Sequence, residues 1–394
     1  MNFASDNAAG IAPQILAAIS RANVGAALAY GQDAWTRRVE ARFAEIFAHD
    51  VAVFLVPTGT AANALALAHL TPPWGAVLCH HEAHIATDEC GAPEFFGGGI
   101  KLVGLAGEAG KIAPDTLRRA LDAGQWGGPH HVSPAVLSLS QATEAGTIYR
   151  PDEIRELAEI AHARGLALHV DGARIGNAIA RMNASPAQAT WMAGVDALSF
   201  GATKGGALAA EAVVFFDPAR GAKMSERRKR GGHLVSKHRF LAAQIEAYLA
   251  DDLWLELARH ANAMADRLAA GLAAEGLVPV WPVEANEVFV ALPCGSTRGS
   301  RRREQAITRG RRTCDPTALR VRSMQRSCAS SPRLRPPRTR SIALWRSHVL
   351  FDATPTPKLR PIPGYRCRHT QTTCAVSLTA VRFALVTSSG LERR

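Results

Sequence analysis

Between residues 51 and 216, short apolar runs alternate with segments of helical period, and this alternation leaves few folds open to the chain. Residues 51–56 are wholly apolar, as a strand buried on both faces requires. The run ends at Pro57-Thr-Gly-Thr60, and residues 61–70 then read as helix. Upstream, Trp35, Val39, Phe43 and Phe47 recur every four residues and make one apolar helical face. Further strands are expected at 76–79, 101–104, 135–139, 166–170, 196–200 and 212–216. A helix over 151–164 opens on Pro151, Asp152 and Glu153, residues suited to a first turn, and stops at Gly165. Such βαβ alternation implies an α/β architecture, a mostly parallel sheet flanked by helices. Residues 236–275 read as one or two long helices, and 287–292 as the first strand of a further domain.

Near residue 293 this pattern stops. Residues 294–394 hold 21 Arg and 1 Lys against 4 acidic residues, whereas residues 1–293 hold 24 basic and 30 acidic groups. The net charge of +12 therefore belongs to the tail, and the body is mildly acidic. Leu, Ile, Val and Phe supply 18 of the last 101 residues, below the roughly 20% level associated with disorder at high net charge. Five of the seven cysteines also lie there, leaving Cys79 and Cys90 in the body without disulfide or metal-ligand spacing. Arg-heavy, Cys-rich text that begins inside a strand reads as disordered or frame-shifted rather than as a selected basic arm. No run approaches the roughly 20 apolar residues of a membrane helix, and the first residues show no secretory pattern. The expected address is the cytoplasm.

Ligands of open α/β sheets sit at the carboxyl ends of strands, and three such ends carry telling residues. Gly59 and Thr60 stand at a helix entry, where free amides and the helix dipole suit a phosphate, although Thr-Gly-Thr is also an ordinary turn and cap. Asp171 follows the apolar strand 166–170, with Arg174 three residues on. That pair is either a charge partner for a ligand or a cap with a solvated arginine. Lys204 lies among small residues just past the strand 196–200. A lysine so placed can be buried, lose its proton and attack a carbonyl, or it can be a surface loop residue.

The order phosphate seat, strand-end Asp, then Lys 33 residues later is that of the fold-type I pyridoxal phosphate enzymes. Within them the body closely resembles the low-specificity L-threonine aldolases of the β-eliminating lyase group. The matching stretches are Phe3-Ala-Ser-Asp6, Pro57-Thr-Gly-Thr-Ala-Ala-Asn63, Ala83-His84-Ile85, His169-Val-Asp-Gly-Ala-Arg174, Ser199-Phe-Gly-Ala-Thr-Lys204 and Lys229-Arg-Gly-Gly232. The likeness runs from about residue 2 to 293 and fails beyond it.

The resemblance implies a fold-type I fold, pyridoxal 5′-phosphate as cofactor, and aldol cleavage of L-threonine, L-allo-threonine and related β-hydroxy-α-amino acids to glycine and an aldehyde. By the same resemblance, Lys204 binds the cofactor aldehyde, Asp171 the ring nitrogen, Gly59 and Thr60 the phosphate, and His84 stacks on the ring. Ser5 and Arg174 match substrate-carboxylate positions, His131 a histidine near the substrate hydroxyl, and Lys229 a cofactor or substrate contact. Val381-Arg382-Phe383 bears a likeness to an Arg-bearing strand of the family. The expected organisation is a large domain with an N-terminal arm over 1–250, the start of a small domain over 251–293, and the Arg-rich tail 294–394. A homodimer or homotetramer is expected, with an amino acid as substrate and neither membrane nor nucleic acid as partner. No resident metal is expected. The alternatives are another β-eliminating amino-acid lyase, or a cofactor-type fold whose basic tail binds nucleic acid.

Overall fold

In a computed structural model that describes residues 5–292 and the backbone of 379–384, the apolar runs lie side by side as one sheet. Its strands are β1 (Ala52–Val56), β2 (Gly75–His80), β3 (Lys101–Leu105), β4 (Ser133–Ser140), β5 (Ala167–Gly172), β6 (Ala197–Gly201) and β7 (Glu211–Phe215), in the order β1-β7-β6-β5-β4-β2-β3. The pairs from β6 to β3 are parallel; β7 runs antiparallel to both β6 and β1. The carboxyl ends of β1, β4, β5 and β6 therefore share one edge with the amino end of β7. All five residues of β6 and of β7, and all six of β5, are buried, which explains their unbroken apolar text.

Around the sheet stand α1 (Pro13–Ala22), α2 (Ala34–Phe47), α3 (Gly59–Leu70), α4 (His84–Thr87), α5 (Ala92–Phe96), α6 (Pro114–Ala123), α7 (Pro151–Ala163), α8 (Ile175–Met182), α9 (Met224–Arg230), α10 (Arg239–Leu249) and α11 (Leu253–Ala274). The four-residue spacing in α2 buries Val39, Phe43 and Phe47, and the Phe43 ring meets Phe200 of β6 edge-on at 5.1 Å. In α7 the Glu153 carboxylate accepts the Arg150 amide at 2.6 Å, and Gly165 beyond its end has φ +74°. The stretch 236–275 breaks into α10 and α11 at Asp251 and Asp252, both at positive φ (49° and 56°). Short polar Asp side chains tolerate that conformation better than most residues.

α3 begins earlier than its apolar text suggests. The Thr58 hydroxyl accepts the Ala61 amide at 3.1 Å, so Gly59 and Thr60 form the first helical positions instead of preceding the helix. Residues 61–68 of α3 are all buried, and Asn63 is the one polar side chain among them. Small alanines let this helix lie close to the sheet; Asn63 must then find its partners inside the protein.

β8 (Glu287–Leu292) pairs antiparallel with β9 (Thr379–Ala384), with Phe289 opposite Arg382. The reading of 294–394 as disordered or frame-shifted otherwise lies outside the described residues. Among the described residues, no helix is long and apolar enough to cross a membrane.

Candidate active site

The shared strand edge encloses a cavity of about 350 Å3 lined by Gly59, Thr60, His84, Asp171, Arg174 and Lys204, among others. At one side α3 presents its N-terminus. The amides of Gly59 and Thr60 have no intrahelical acceptor there, and a Cβ built on Gly59 meets no heavy atom within 4 Å. Open space over two free amides at a positive helix end suits a phosphate.

Asp171 is buried at the carboxyl end of β5. Its Oδ1 accepts the Ala173 amide at 3.0 Å and its Oδ2 accepts Asn63 Nδ2 at 2.8 Å. The same Asn63 nitrogen donates to Glu89 Oε1 at 2.8 Å, and His84 Nδ1 donates to that oxygen at 2.8 Å. A chain of polar groups thus runs Asp171–Asn63–Glu89–His84. The bond to Glu89 holds the His84 imidazole above its ordinary range, while burial pushes the Glu89 carboxyl up. Glu144, likewise raised by burial, accepts the His84 amide at 2.7 Å and the Ser140 hydroxyl at 2.8 Å. His84, Glu89 and Asp171 also bring three donor atoms within 4.8 Å of one another, a spacing open to a cation.

Beneath this chain, His169 of β5 sits between the hydroxyls of Ser138 (2.9 Å) and Ser199 (3.0 Å), and burial drives its pKa down to about 4.

Lys204 leaves a turn just after β6. The charge of Arg174 and burial together lower its pKa, against the opposing pull of Asp6, Asp171 and Glu287. The amine is thereby biased toward the neutral, nucleophilic form. Gly205 is required by a close approach: a Cβ there would stand 2.0 Å from Tyr248 Oη.

Arg174 lines the cavity with its side chain 8% exposed. Its Nε and Nη2 donate to Asp6 Oδ2 (2.7 Å) and Oδ1 (3.1 Å), and Nη2 lies 3.3 Å from Glu287 Oε1. Burial works against its charge, but Asp6 and Glu287 outweigh it and hold the guanidinium above its usual range.

Six of the nine residues singled out from the sequence meet at this cavity, and three do not. Ser5 accepts the Asn7 amide at 3.2 Å and caps a short turn; its neighbours reach the site instead, Asp6 through Arg174 and Asn7 in the cavity wall. His131 is exposed in the loop before β4, at the strand's amino end, opposite the edge that carries the cavity. Lys229 is exposed on α9 with its ammonium 4.5 Å from the Tyr30 ring centroid; the buried member of that basic run is Arg228. Asn63, Glu89, Glu144, Glu211 and Glu287 were missed. Asn63 could have been found as the lone polar residue in an alanine-rich helix.

The set fits pyridoxal phosphate. It offers an anion seat at a helix N-terminus, a carboxylate for a ring nitrogen, an amine of lowered basicity, and a buried Asn63 Oδ1 with no hydrogen-bond partner at the cavity wall.

Residues 2–294 match the family profile described as beta-eliminating lyase. A low-specificity L-threonine aldolase of Pseudomonas aeruginosa is 47% identical over 292 residues, covering 74% of this chain and 84% of that protein. One from a Pseudomonas species is 44% identical over 291 residues, covering 74% and 84%. The solved structure of Leishmania major threonine aldolase superposes with a TM-score of 0.70 at 31% identity, covering 74% of this chain and 84% of that one.

Proposed function

The chain belongs to the beta-eliminating lyase family, and from that premise we propose that its cavity binds pyridoxal phosphate and cleaves L-threonine and related β-hydroxy-α-amino acids to glycine and an aldehyde. The fold is that of the fold-type I pyridoxal phosphate enzymes, and pyridoxal phosphate is the family's cofactor. One observation carries the site assignment: the α3 N-terminus, Asp171 and Lys204 face one cavity.

In this reading Lys204 Nζ holds the cofactor aldehyde, Gly59 and Thr60 hold the phosphate through their amides, and Asp171 keeps a proton on the ring nitrogen by favouring its charged form. When bound there, pyridoxal phosphate supplies an electron sink for the pair released as the substrate Cα–Cβ bond breaks. Arg174, anchored by Asp6 and Glu287, turns its remaining donors to the substrate carboxylate and so sets the bond that faces the sink. His84 flanks the ring. Its Nδ1 is engaged by Glu89, which leaves Nε2 to take the proton of the β-hydroxyl. Ser5, His131 and Lys229 have no support from the cavity in this role.

We read residues 251–293, with α11 and β8, as the start of a small second domain, and the protein as a cytoplasmic homodimer or homotetramer. Val24, Leu28 and Phe95 are large apolar side chains exposed by 81%, 65% and 79%.

Product analysis tests the reaction. Protein supplied with pyridoxal phosphate and L-threonine is expected to yield glycine and acetaldehyde in equal amounts. Ammonia and a keto acid would instead identify a β-eliminating lyase of another specificity.

A further inference from the structure

Glu211 is the first residue of β7, and because β7 runs antiparallel its side chain enters the cavity edge beside the carboxyl end of β6. In register it stands opposite Gly201 of β6 and Val56 of β1. The carboxylate is 6% exposed. A buried carboxylate at a strand end has to be held by specific donors, and here the donors come from the two residues directly before Lys204. The Ala202 amide donates to Oε2 at 2.9 Å, and the Thr203 amide and hydroxyl add further hydrogen bonds. The Thr203 hydroxyl in turn accepts the Ala210 amide at 3.2 Å, which leaves its proton for Glu211.

We propose that Glu211 is a positioning residue for Lys204: its carboxylate gathers the donors of Ala202 and Thr203 and so fixes the turn from which the amine reaches the cofactor. The inference rests on the assignment of Lys204 as the cofactor's attachment point. The rest of the turn is held from outside the cavity, since the Leu208 and Ala209 amides both donate to Gln244 of α10 (2.9 and 3.0 Å) and Gly206 accepts the Ala12 amide at 2.9 Å. Glu211 is therefore the brace on the cavity side. The titratable groups acting on it are Lys204 on the turn and Tyr248 on α10. Burial raises its pKa to about 7, opposed by the Thr203 and Ala202 hydrogen bonds and by the Lys204 charge. The brace thus changes charge near neutrality, and the Lys204 charge is one of the influences that hold it ionised.

The test uses the full chain loaded with pyridoxal phosphate and titrates the visible absorbance of the bound cofactor against pH. In Glu211→Gln the negative charge near the amine is gone, so the midpoint is expected to fall by about half a unit or more. A purely structural role would leave the midpoint in place. Folded Glu211→Gln with the wild-type midpoint overturns the proposal. If Glu211→Gln does not fold, Thr203→Val decides, since it keeps the carboxylate and removes one bond of the brace. Covalent attachment of pyridoxal phosphate to its apoprotein is expected to slow by about threefold or more, and an unchanged rate overturns the proposal. Wild-type protein that fails to attach the cofactor at all would overturn the assignment of Lys204, and the brace with it.

Discussion

The guanidinium of Arg174 grips the carboxylate of Asp6 with two hydrogen bonds, at 2.7 and 3.1 Å, across 168 residues of sequence. Arg174 follows Asp171 by three positions, so the N-terminal segment is tied to the strand end that lines the cavity. Glu287 of β8 closes on the same arginine from the other side. One cation thus joins the N-terminal segment, the end of β5 and β8.

Breaking that grip should cost stability and binding together. Removing one partner of a buried ion pair typically costs about 3–5 kcal/mol, and Glu287 retains part of the hold. Asp6→Ala is therefore expected to lower unfolding stability by about 2 kcal/mol, measured by urea denaturation. The KM for L-threonine should rise with it, because Arg174 loses its fixed orientation. Unchanged stability would mean that the arm is not anchored through this pair.

Glu89 sets the basicity of His84, so Glu89→Gln should move the acid limb of the pH–rate profile. The Glu89 hydrogen bond is the largest cause of the raised His84 pKa. With a neutral partner the imidazole gives up its proton more readily, and the acid limb of kcat/KM should shift to lower pH. A histidine Cε1 NMR titration would assign the shift to His84. An acid limb that stays in place would remove His84 from proton transfer.

The phosphate seat can be tested without disturbing the helix. Proline is tolerated at a first helical position, Thr58 before it is extended (φ −143°, ψ 151°), and space over Gly59 is open. Gly59→Pro thus removes one amide donor and fills part of the space assigned to the phosphate, while the helix start is kept. A hydrogen bond to a charged group is worth about 1.5–3 kcal/mol, so the Kd for pyridoxal phosphate should rise by about tenfold or more. Thermal stability of the apoprotein should stay near wild type. Unaltered cofactor affinity would place the phosphate elsewhere.

Acid should unfold this protein through its buried histidines. His80, His169 and His238 each have the pKa driven down to about 4, chiefly by burial. The unfolded chain binds protons near pH 6.5 while the folded state refuses them until near pH 4. Stability from this source is complete above about pH 6.5 and is lost as pH falls toward 4. At about 1.4 kcal/mol per pK unit, the fully buried His169 alone contributes on the order of 3 kcal/mol. The urea midpoint should drop between pH 7 and pH 5, and less steeply in His169→Asn. Equal slopes in the two proteins would exclude His169 as a source.

Asp171 and Lys204 were legible because an apolar run that stops marks a strand's carboxyl end, and open sheets bind ligands there. Gly59 and Thr60 were legible for the same reason, although the cap at Thr58 showed only in three dimensions. His131, named by the resemblance, does not line the cavity. A residue just before a strand lies at the amino edge, and β4 starts at Ser133. Glu211 was hidden because the apolar run 212–216 carries no sign of direction; only the antiparallel pairing of β7 brings its first residue to the ligand edge. The Asp6–Arg174–Glu287 cluster joins three distant segments, and no local periodicity encodes such contacts.

Everything proposed for the cavity turns on Lys204 as the residue to which pyridoxal phosphate attaches. Borohydride reduction of the loaded full chain, followed by peptide mapping, tests it most directly. A single reduced adduct is expected on the peptide that holds Lys204, absent from Lys204→Ala, in protein that releases acetaldehyde from L-threonine before reduction. An adduct on another lysine, or none in folded wild-type protein, would contradict it.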